Sequence, residues 1–392
     1  MNTQNTPVHV NLWHKDFWRM SVANMLLTMS VYTLIPILPL WMIYQEHFST
    51  MQVGISMGVF SVGLFLFGGI CSFLVQRFRR NVVCLLSVLG VLCCTASLYY
   101  IERVSSLKPD FIFTVLMRFF QGAFYGLAQM VLSSTLIIDT NESFQRTEAN
   151  HSSSWFGRFA LSLGPLLSLA VLLCLGFNWA LLSSIICGLV SVLLIMMVKF
   201  PFRTPEENIK VISNDRFFLP QGKWLFVNLV ITTCVIGLLL STKVSFIFYG
   251  MIMGGFLLAL LAQTFVFAQA ELESEVITGL ILMCVAILMM LTRHQMIVYY
   301  LSPLFIGLGI GIIGSRFLLF FIKLSLHCQR GTSQSTFLLG WESGIGLGLF
   351  IGYAFMYDQP RLIYILSIVL LLLSFLTYHF FTHKWFMKHK NR

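Results

Sequence analysis

Arg118-Phe119-Phe120-Gln121-Gly122 sets an arginine and a glutamine in the middle of a long apolar run. A formal charge near the centre of a bilayer-spanning helix costs roughly 2.5 to 3.5 kcal/mol, so it is expected to face a partner or a water-filled path. Glu342, in Gly340-Trp341-Glu342-Ser343-Gly344, is the only acid deep in such a run. At about 1.5 Å per residue it lies some 16 Å in from Gly331, close to a bilayer midplane. A lone carboxylate persists there either with a proton on it or beside a cation, and both states suit a proton carrier. The competing role is structural: a fixed ion pair to Arg118 or Arg158, which could hold two helices together.

Helical spacing adds candidates around these two. Arg118, Gln121, Tyr125 and Gln129 recur at offsets that place them on one stripe of a helix, and Asn24, Thr28 and Tyr32 follow an i, i+4, i+8 course on another. Asn228 and Thr232 form a shorter i, i+4 pair. With Trp341 beside Glu342, these residues are the expected lining of a polar cavity. Isolated Asn and Thr residues in membrane helices also serve as hydrogen-bond partners between helices, which is the plainer role for Asn24, Thr28, Asn228 and Thr232.

The elements that must position them are membrane helices. Of the 392 residues, 57% are hydrophobic and 10% charged, with a mean hydropathy of +0.84. Runs long enough to cross about 30 Å of hydrocarbon fall at 17–41, 51–75, 81–101, 110–138, 154–174 and 178–199, then at 223–241, 245–267, 276–292, 296–320, 332–356 and 361–382. The reading is an all-α polytopic membrane protein of about twelve transmembrane helices. The first run follows a polar leader with Lys15 and Arg19, passes Pro36 and Pro39 and carries no small-residue cleavage site, so it is expected to stay in the mature chain.

Lys and Arg concentrate on one side. Lys15, Arg19, Arg77, Arg79, Arg80, Arg146, Lys199, Arg203, Lys210, Arg216, Lys223, Lys323, Arg330, Lys384, Lys388, Lys390 and Arg392 share it, against Arg103, Lys108, Lys243, Arg293 and Arg361 opposite. Both termini are therefore expected in the cytoplasm. This bias accounts for the net charge of +10, and its spread over short loops speaks against nucleic-acid binding. One loop on the basic side is acidic, with Glu271, Glu273 and Glu275. It is either a solvated turn or the partner of the Arg77, Arg79 and Arg80 turn in a cytoplasmic latch. The nine Cys residues lie mostly in apolar runs without a C-x-x-C pair, and the His residues sit at termini, loops or helix ends, so neither a disulfide framework, a deep metal site nor a cofactor is expected.

The longest polar stretch separates an N-terminal bundle, 1–200, from a C-terminal bundle, 223–392, with 201–222 as a cytoplasmic linker. Six runs plus six is the pattern of a transporter with its site between the halves.

Several of these motifs resemble the major facilitator superfamily of twelve-helix transporters, and within it the drug and metabolite efflux branch. Arg118-Phe119-Phe120-Gln121-Gly122 resembles the family's fourth-helix motif of Arg, two variable positions, Gln and Gly, in which the Arg is implicated in proton coupling. Leu74-Val75-Gln76-Arg77-Phe78-Arg79-Arg80 is similar to the signature turn after the second helix, and Gly164-Pro165 to the antiporter motif of the fifth. The resemblance implies two six-helix bundles rocking about a central site, gated by the turn with Gln76, Arg77, Arg79 and Arg80 and by Gly164 and Pro165. Gln76 stands where the family usually has Asp and Arg79 where it has Gly, which weakens the charge-relay gating attributed to that turn. The further glycines of the antiporter motif are largely missing, with His151, Ser168 and Leu169 in such places.

The implied function is secondary active transport, with proton-coupled export of small amphiphilic drugs or metabolites as the leading reading. Proton coupling falls to Glu342 and Arg118, and the partners are a small-molecule substrate, protons and the lipid bilayer. An aromatic-rich cavity with Arg118 as its main deep cation fits a neutral or weakly anionic compound. The alternatives are uptake of a small organic solute by the same fold and, from another class, a lipid-handling membrane protein. No nucleophile with a base, cofactor loop or metal cluster can be assembled within the membrane, which argues against an enzyme. The family resemblance implies a bacterial cytoplasmic membrane.

Overall fold

The structure, a computed structural model, describes residues 11–103, 110–142, 145–200, 210–242, 245–267, 271–293 and 295–390. The first part of the expected linker, 201–209 with Arg203, and the loop cations Lys108, Lys243 and Arg392 lie outside them. Among the described residues all regular structure is helical. Eleven helices are long and apolar enough to span a bilayer, and a bent pair supplies a twelfth. They are α1 (Lys15–Tyr44), α2 (Thr50–Gly63 and Gly68–Arg77, meeting at 44°), α3 (Arg80–Ile101), α4 (Phe111–Asp139), α5 (Arg146–Leu175) and α6 (Phe177–Met196). The second set is α7 (Pro220–Leu240), α8 (Phe246–Phe265), α9 (Leu272–Thr292), α10 (Met296–Leu324), α11 (Arg330–Phe355) and α12 (Pro360–His389).

Two helices run well past their apolar stretches. Helix α5 begins at Arg146 rather than at residue 154, and α12 continues to His389 rather than stopping at residue 382. Hydropathy detects the stretch that faces hydrocarbon, whereas these extra turns are polar and held by packing: Ala149, Asn150 and Ser153 are buried, as is Phe386.

Local deviations have chemical causes. In α1 the helix is interrupted at Thr33. Pro36 has no N–H to give to the Tyr32 carbonyl, which leaves that turn weakened. In α4, Leu132–Leu136 opens into a π-helical turn. Three successive hydroxyls, of Ser133, Ser134 and Thr135, donate back to the carbonyls of Gln129, Met130 and Val131, which draws the ladder out of α register.

The packing repeats with a shift of six helices. Within the first set, α1 packs on α5 and α6, α2 on α4, α3 on α4 and α6; within the second, α7 packs on α11 and α12, α8 on α10, α9 on α10 and α12. The sets meet through α2 with α11 and α5 with α8, a pair of contacts that exchanges under the same shift. The repeat, invisible in residue identity, is therefore explicit in the contacts. One shared device is a glycine at the tightest crossing. A Cβ on Gly122 would lie 2.0 Å from the Phe60 carbonyl oxygen, and one on Gly307 would lie 2.4 Å from that of Ile252, so only hydrogen allows α4 onto α2 and α10 onto α8.

The described end of the linker threads between α2 and α11. Asp215 accepts hydrogen bonds from Ser72 of α2 at 3.1 Å and from Thr332 of α11 at 3.2 Å. Ser213 N–H donates to the Gly69 carbonyl, while the N–H groups of Arg216 and Leu219 donate to Thr332 and Thr336. Asp215 thus ties the two sets together on the linker face. Asp215→Ala is expected to raise several-fold the rate at which a thiol reagent modifies Cys71, which is buried beside Ser72. That corresponds to about 1 kcal/mol for a partly solvated hydrogen-bonded carboxylate. An unchanged rate, read by peptide mapping, would remove Asp215 from any part in holding this face together.

Candidate functional site

A cavity of about 40 Å³ lies between α1, α4, α5 and α11. Asn24, Thr28 and Tyr32 line it from α1, Tyr125, Gln129 and Ser133 from α4, Ser154, Gly157 and Arg158 from α5, and Gln334, Phe337, Leu338, Trp341 and Glu342 from α11. Seven of the expected residues, Asn24, Thr28, Tyr32, Tyr125, Gln129, Trp341 and Glu342, are thereby brought together.

Glu342 has neither arginine as partner. Its Oε1 accepts from the Tyr32 hydroxyl at 2.6 Å and from the Tyr125 hydroxyl at 3.2 Å. The network extends along the wall, with Gln129 Nε2 donating to Thr28 Oγ1 at 2.9 Å and Thr28 donating to the Asn24 carbonyl. Tyr125 also lies 3.4 Å from Thr28 Oγ1. A phenol has one proton to give, so Tyr125 serves Glu342 or Thr28 but not both. A proton gained by Glu342 would make it a donor and reorder this chain. Gly164 permits the arrangement, since a Cβ there would meet Tyr32 Cβ at 3.0 Å and Thr33 N at 3.1 Å; the Gly164-Pro165 step seats α5 against the break in α1.

Arg118 and Gln121 are not in this cavity. Arg118 Nη1 donates to Gln121 Oε1 at 2.5 Å, its guanidinium lies 4.8 Å over the Phe60 ring, and Gln121 Nε2 donates to Thr95 of α3 at 2.8 Å. Periodicity gave the helix face correctly for Arg118 but not its depth. Seven residues separate it from Tyr125, about 10 Å along the axis, and there Phe60 covers the face. Asn228 and Thr232 take the plainer of their two expected roles, as partners between helices, and do not line this cavity. Asn228 donates to the Ser374 carbonyl and Thr377, and Thr232 shares a hydrogen bond with Ser374 at 2.8 Å, so both join α7 to α12. A polar stripe reveals that a helix has a polar neighbour, not which one.

Several charges of the expected latch have other partners in this arrangement. Glu275 pairs with Arg316, Glu273 lies 2.8 Å from His379 and 3.4 Å from His383, and Arg80 pairs with Asp139 at the end of α4. Each of these charges finds its partner within its own set of six helices. Glu271 stands exposed at the start of α9, and Gln76, Arg77 and Arg79 lie at the turn after α2, the two arginines exposed.

Arg158 is the cavity residue that sequence reasoning undervalued. It is 2% exposed, stacks 4.0 Å over the Trp155 ring, and donates to the Ser154 carbonyl, Ser154 Oγ and the Gly311 carbonyl. The signal was present: Ser154 stands one helical turn before it, with Trp155 beside that. Ser133, Gln334 and Phe337 also line the cavity without having been singled out.

Twelve spans in two like sets, with a polar cavity where the halves meet, define a membrane transporter fold. The sequence profile of the Major Facilitator Superfamily matches residues 20–326, and the chain belongs to that family. The match stops short of α11, but solved structures extend over nearly the whole chain. A bacterial homologue of the human lysosomal transporter Spinster, inward-facing and unoccupied, has a TM-score of 0.67 at 15% identity, covering 96% of this chain and 98% of its own. The human organic anion transporter MFSD10 gives 0.66 at 15%, covering 92% and 98%. The nucleoside transporter NupG gives 0.66 at 10%, covering 94% and 100%. At these identities the likeness is one of fold. Among curated proteins no sequence match is found.

Proposed function

We propose that this chain moves a small amphiphilic organic molecule across the membrane by alternating access, coupled to protons through Glu342. The observation that carries the reading is a lone carboxylate in the cavity wall, held by Tyr32 and Tyr125 hydroxyls instead of a cation. A carboxylate locked to arginine is a strut, whereas one held by neutral donors can exchange its proton when water reaches it. The cavity's 40 Å³ has room for about three water molecules, far below the several hundred Å³ of ordinary ligand sites. Admitting a solute therefore requires the helices to part, and the cross-contacts of α2 with α11 and α5 with α8 are where they would do so.

Residues 1–200 and 223–392 act in this reading as the two rocking bodies, with 201–222 on the cytoplasmic face beside both termini, in the inner membrane of a bacterium. The efflux resemblance makes export in exchange for protons the first reading of direction. Uptake is the second, favoured by the charges of the cavity wall. Arg118 serves the fold of α4 against α2 and α3 in this scheme, and coupling rests on Glu342. The Arg77, Arg79, Arg80 turn and the Glu271, Glu273, Glu275 loop retain a gating role only if they meet in another conformation.

Flux of amphiphilic dyes and labelled metabolites into inside-out vesicles, with and without an imposed proton gradient, tests the proposal. Gradient-dependent movement of at least one solute, absent from vesicles lacking the chain, is expected. Movement that ignores the gradient would leave a transporter without proton coupling.

A further inference from the structure

We propose that the cavity recognises an organic anion through Arg158, and that the anion and a proton on Glu342 occupy it together. The inference rests on reading this cavity as the transport site, and it names the substrate class and the coupling sense of that site.

Arg158 is buried in the cavity wall, and its hydrogen bonds go to two backbone carbonyls and a serine hydroxyl, all neutral acceptors. Three of its five N–H groups are used. Among the described residues it makes no ion pair, unlike Arg316 and Arg80, which have Glu275 and Asp139. A buried guanidinium with no counter-charge is costly to keep, and a planar fork with free donors is the preferred receptor for a carboxylate. Stacking on Trp155 and the grip of Ser154 hold the fork in place before any ligand arrives. Two further atoms indicate what else the ligand carries. Asn24 Oδ1 and Gln334 Oε1 are buried in the same wall without a hydrogen-bond partner, so the ligand is expected to present hydroxyl or amide donors beside its carboxylate. Trp341 and Phe337 offer rings for an apolar body.

The sense of coupling follows from electrostatics. The charged and titratable groups in the wall are Tyr32 of α1, Tyr125 of α4, Arg158 of α5 and Glu342 of α11. Helices α2, α7 and α10, which also pack on α11, present Ser61, Thr233 and Gly314 to residues 340–346. A bound carboxylate repels an ionised Glu342 and tolerates a protonated one, so anion and proton each favour the other's binding. A cationic solute would have the opposite linkage and compete with the proton. Two ligands that bind together travel together, so an inward proton gradient would drive uptake of the anion.

The test uses the full chain in lipid nanodiscs and direct binding of matched probes: 4-hydroxybenzoate, 3-hydroxyphenylacetate and lactate, the neutral amides of each, and tyramine. The carboxylates are expected to bind in preference to amides and amine, and more tightly at mildly acidic than at mildly alkaline pH. Arg158→Gln should weaken carboxylate binding by roughly tenfold to a hundredfold, the range for a hydrogen bond to a charged group, with partial recovery in Arg158→Lys. Glu342→Gln should bind the carboxylate well and lose the pH dependence. An unchanged melting temperature for the apo variants separates these effects from misfolding. Preference for an amide or the amine, absence of binding by every carboxylate, indifference to Arg158→Gln, or weaker binding on acidification would each overturn the proposal. Proteoliposome flux separates it from the reading beneath it: a carboxylate bound but never moved refutes transport alone, and a moved solute that is not an anion refutes this inference alone.

Discussion

Glu342→Gln is expected to abolish proton-driven accumulation while leaving solute exchange nearly intact. Glutamine keeps the shape of the side chain and an oxygen for Tyr32 and Tyr125 to donate to, so the contacts that join α1 and α4 to α11 survive. What it loses is the titratable proton. In proteoliposomes, accumulation against a gradient should fall at least roughly tenfold, matching a coupling free energy of 1 to 3 kcal/mol. Counterflow at equal pH on both sides, which needs only the conformational cycle, should stay within about twofold of the native chain, because the cavity keeps its hydrogen-bonding pattern. Tyr32→Phe offers a graded comparison, removing the donor at 2.6 Å while keeping the carboxylate. It should shift the pH dependence of transport without eliminating coupling. Full accumulation in Glu342→Gln would move the proton to another group and reduce Glu342 to a hydrogen-bonded tie between helices.

Hydropathy was enough to place the spans, because a helix crossing hydrocarbon must be apolar along its lipid-facing length whatever its neighbours are. It missed the first turns of α5 and the last of α12, where protein packing and not lipid holds the helix. The cavity was legible to the extent that polar residues in an apolar setting have few places to go. Tyr32, Tyr125, Gln129 and Glu342 were found by that rule and do converge. The same rule does not say which neighbour a polar residue meets: Asn228 and Thr232 spend their polarity on Ser374 and Thr377, the plainer of their two expected roles, and Arg118 lies on the expected helix face about two turns from Tyr125. A span read as 154–174 puts Arg158 close to a helix end. With α5 starting at Arg146, it sits more than three turns inside. The position of a helix boundary thus decides how deep a charge is taken to lie. The clamp of Asp215 between α2 and α11 had no local signal at all, because it depends on where a polar linker comes to rest.

The steepest loss of stability is expected at Gly122, the last residue of the Arg118 motif, and not at its charge. A methyl group there would sit 2.0 Å from the Phe60 carbonyl oxygen and 2.8 Å from its carbon, both backbone atoms that cannot rotate aside. The crossing of α4 on α2 must widen to accept it, and widening pulls both Arg118 and Tyr125 from the Phe60 ring in the same stroke. Overpacking of this kind typically costs about 1 to 3 kcal/mol, so Gly122→Ala should lower the melting temperature of the detergent-solubilised protein by several degrees, and Gly122→Leu should prevent its accumulation in the membrane. Gly250 in α8 supplies the control, because nothing lies within 4 Å of a Cβ built there. Alanine at that position should leave stability unchanged or raise it by up to about 1 kcal/mol through helix propensity. The same substitution is thus expected to act with opposite signs at two membrane glycines, the sign being set by whether a neighbouring backbone occupies the space. Equal behaviour of the two variants would show that the close approach of α4 and α2 is dispensable. That would undercut the view that the motif's glycine, rather than its arginine, is what the fold requires.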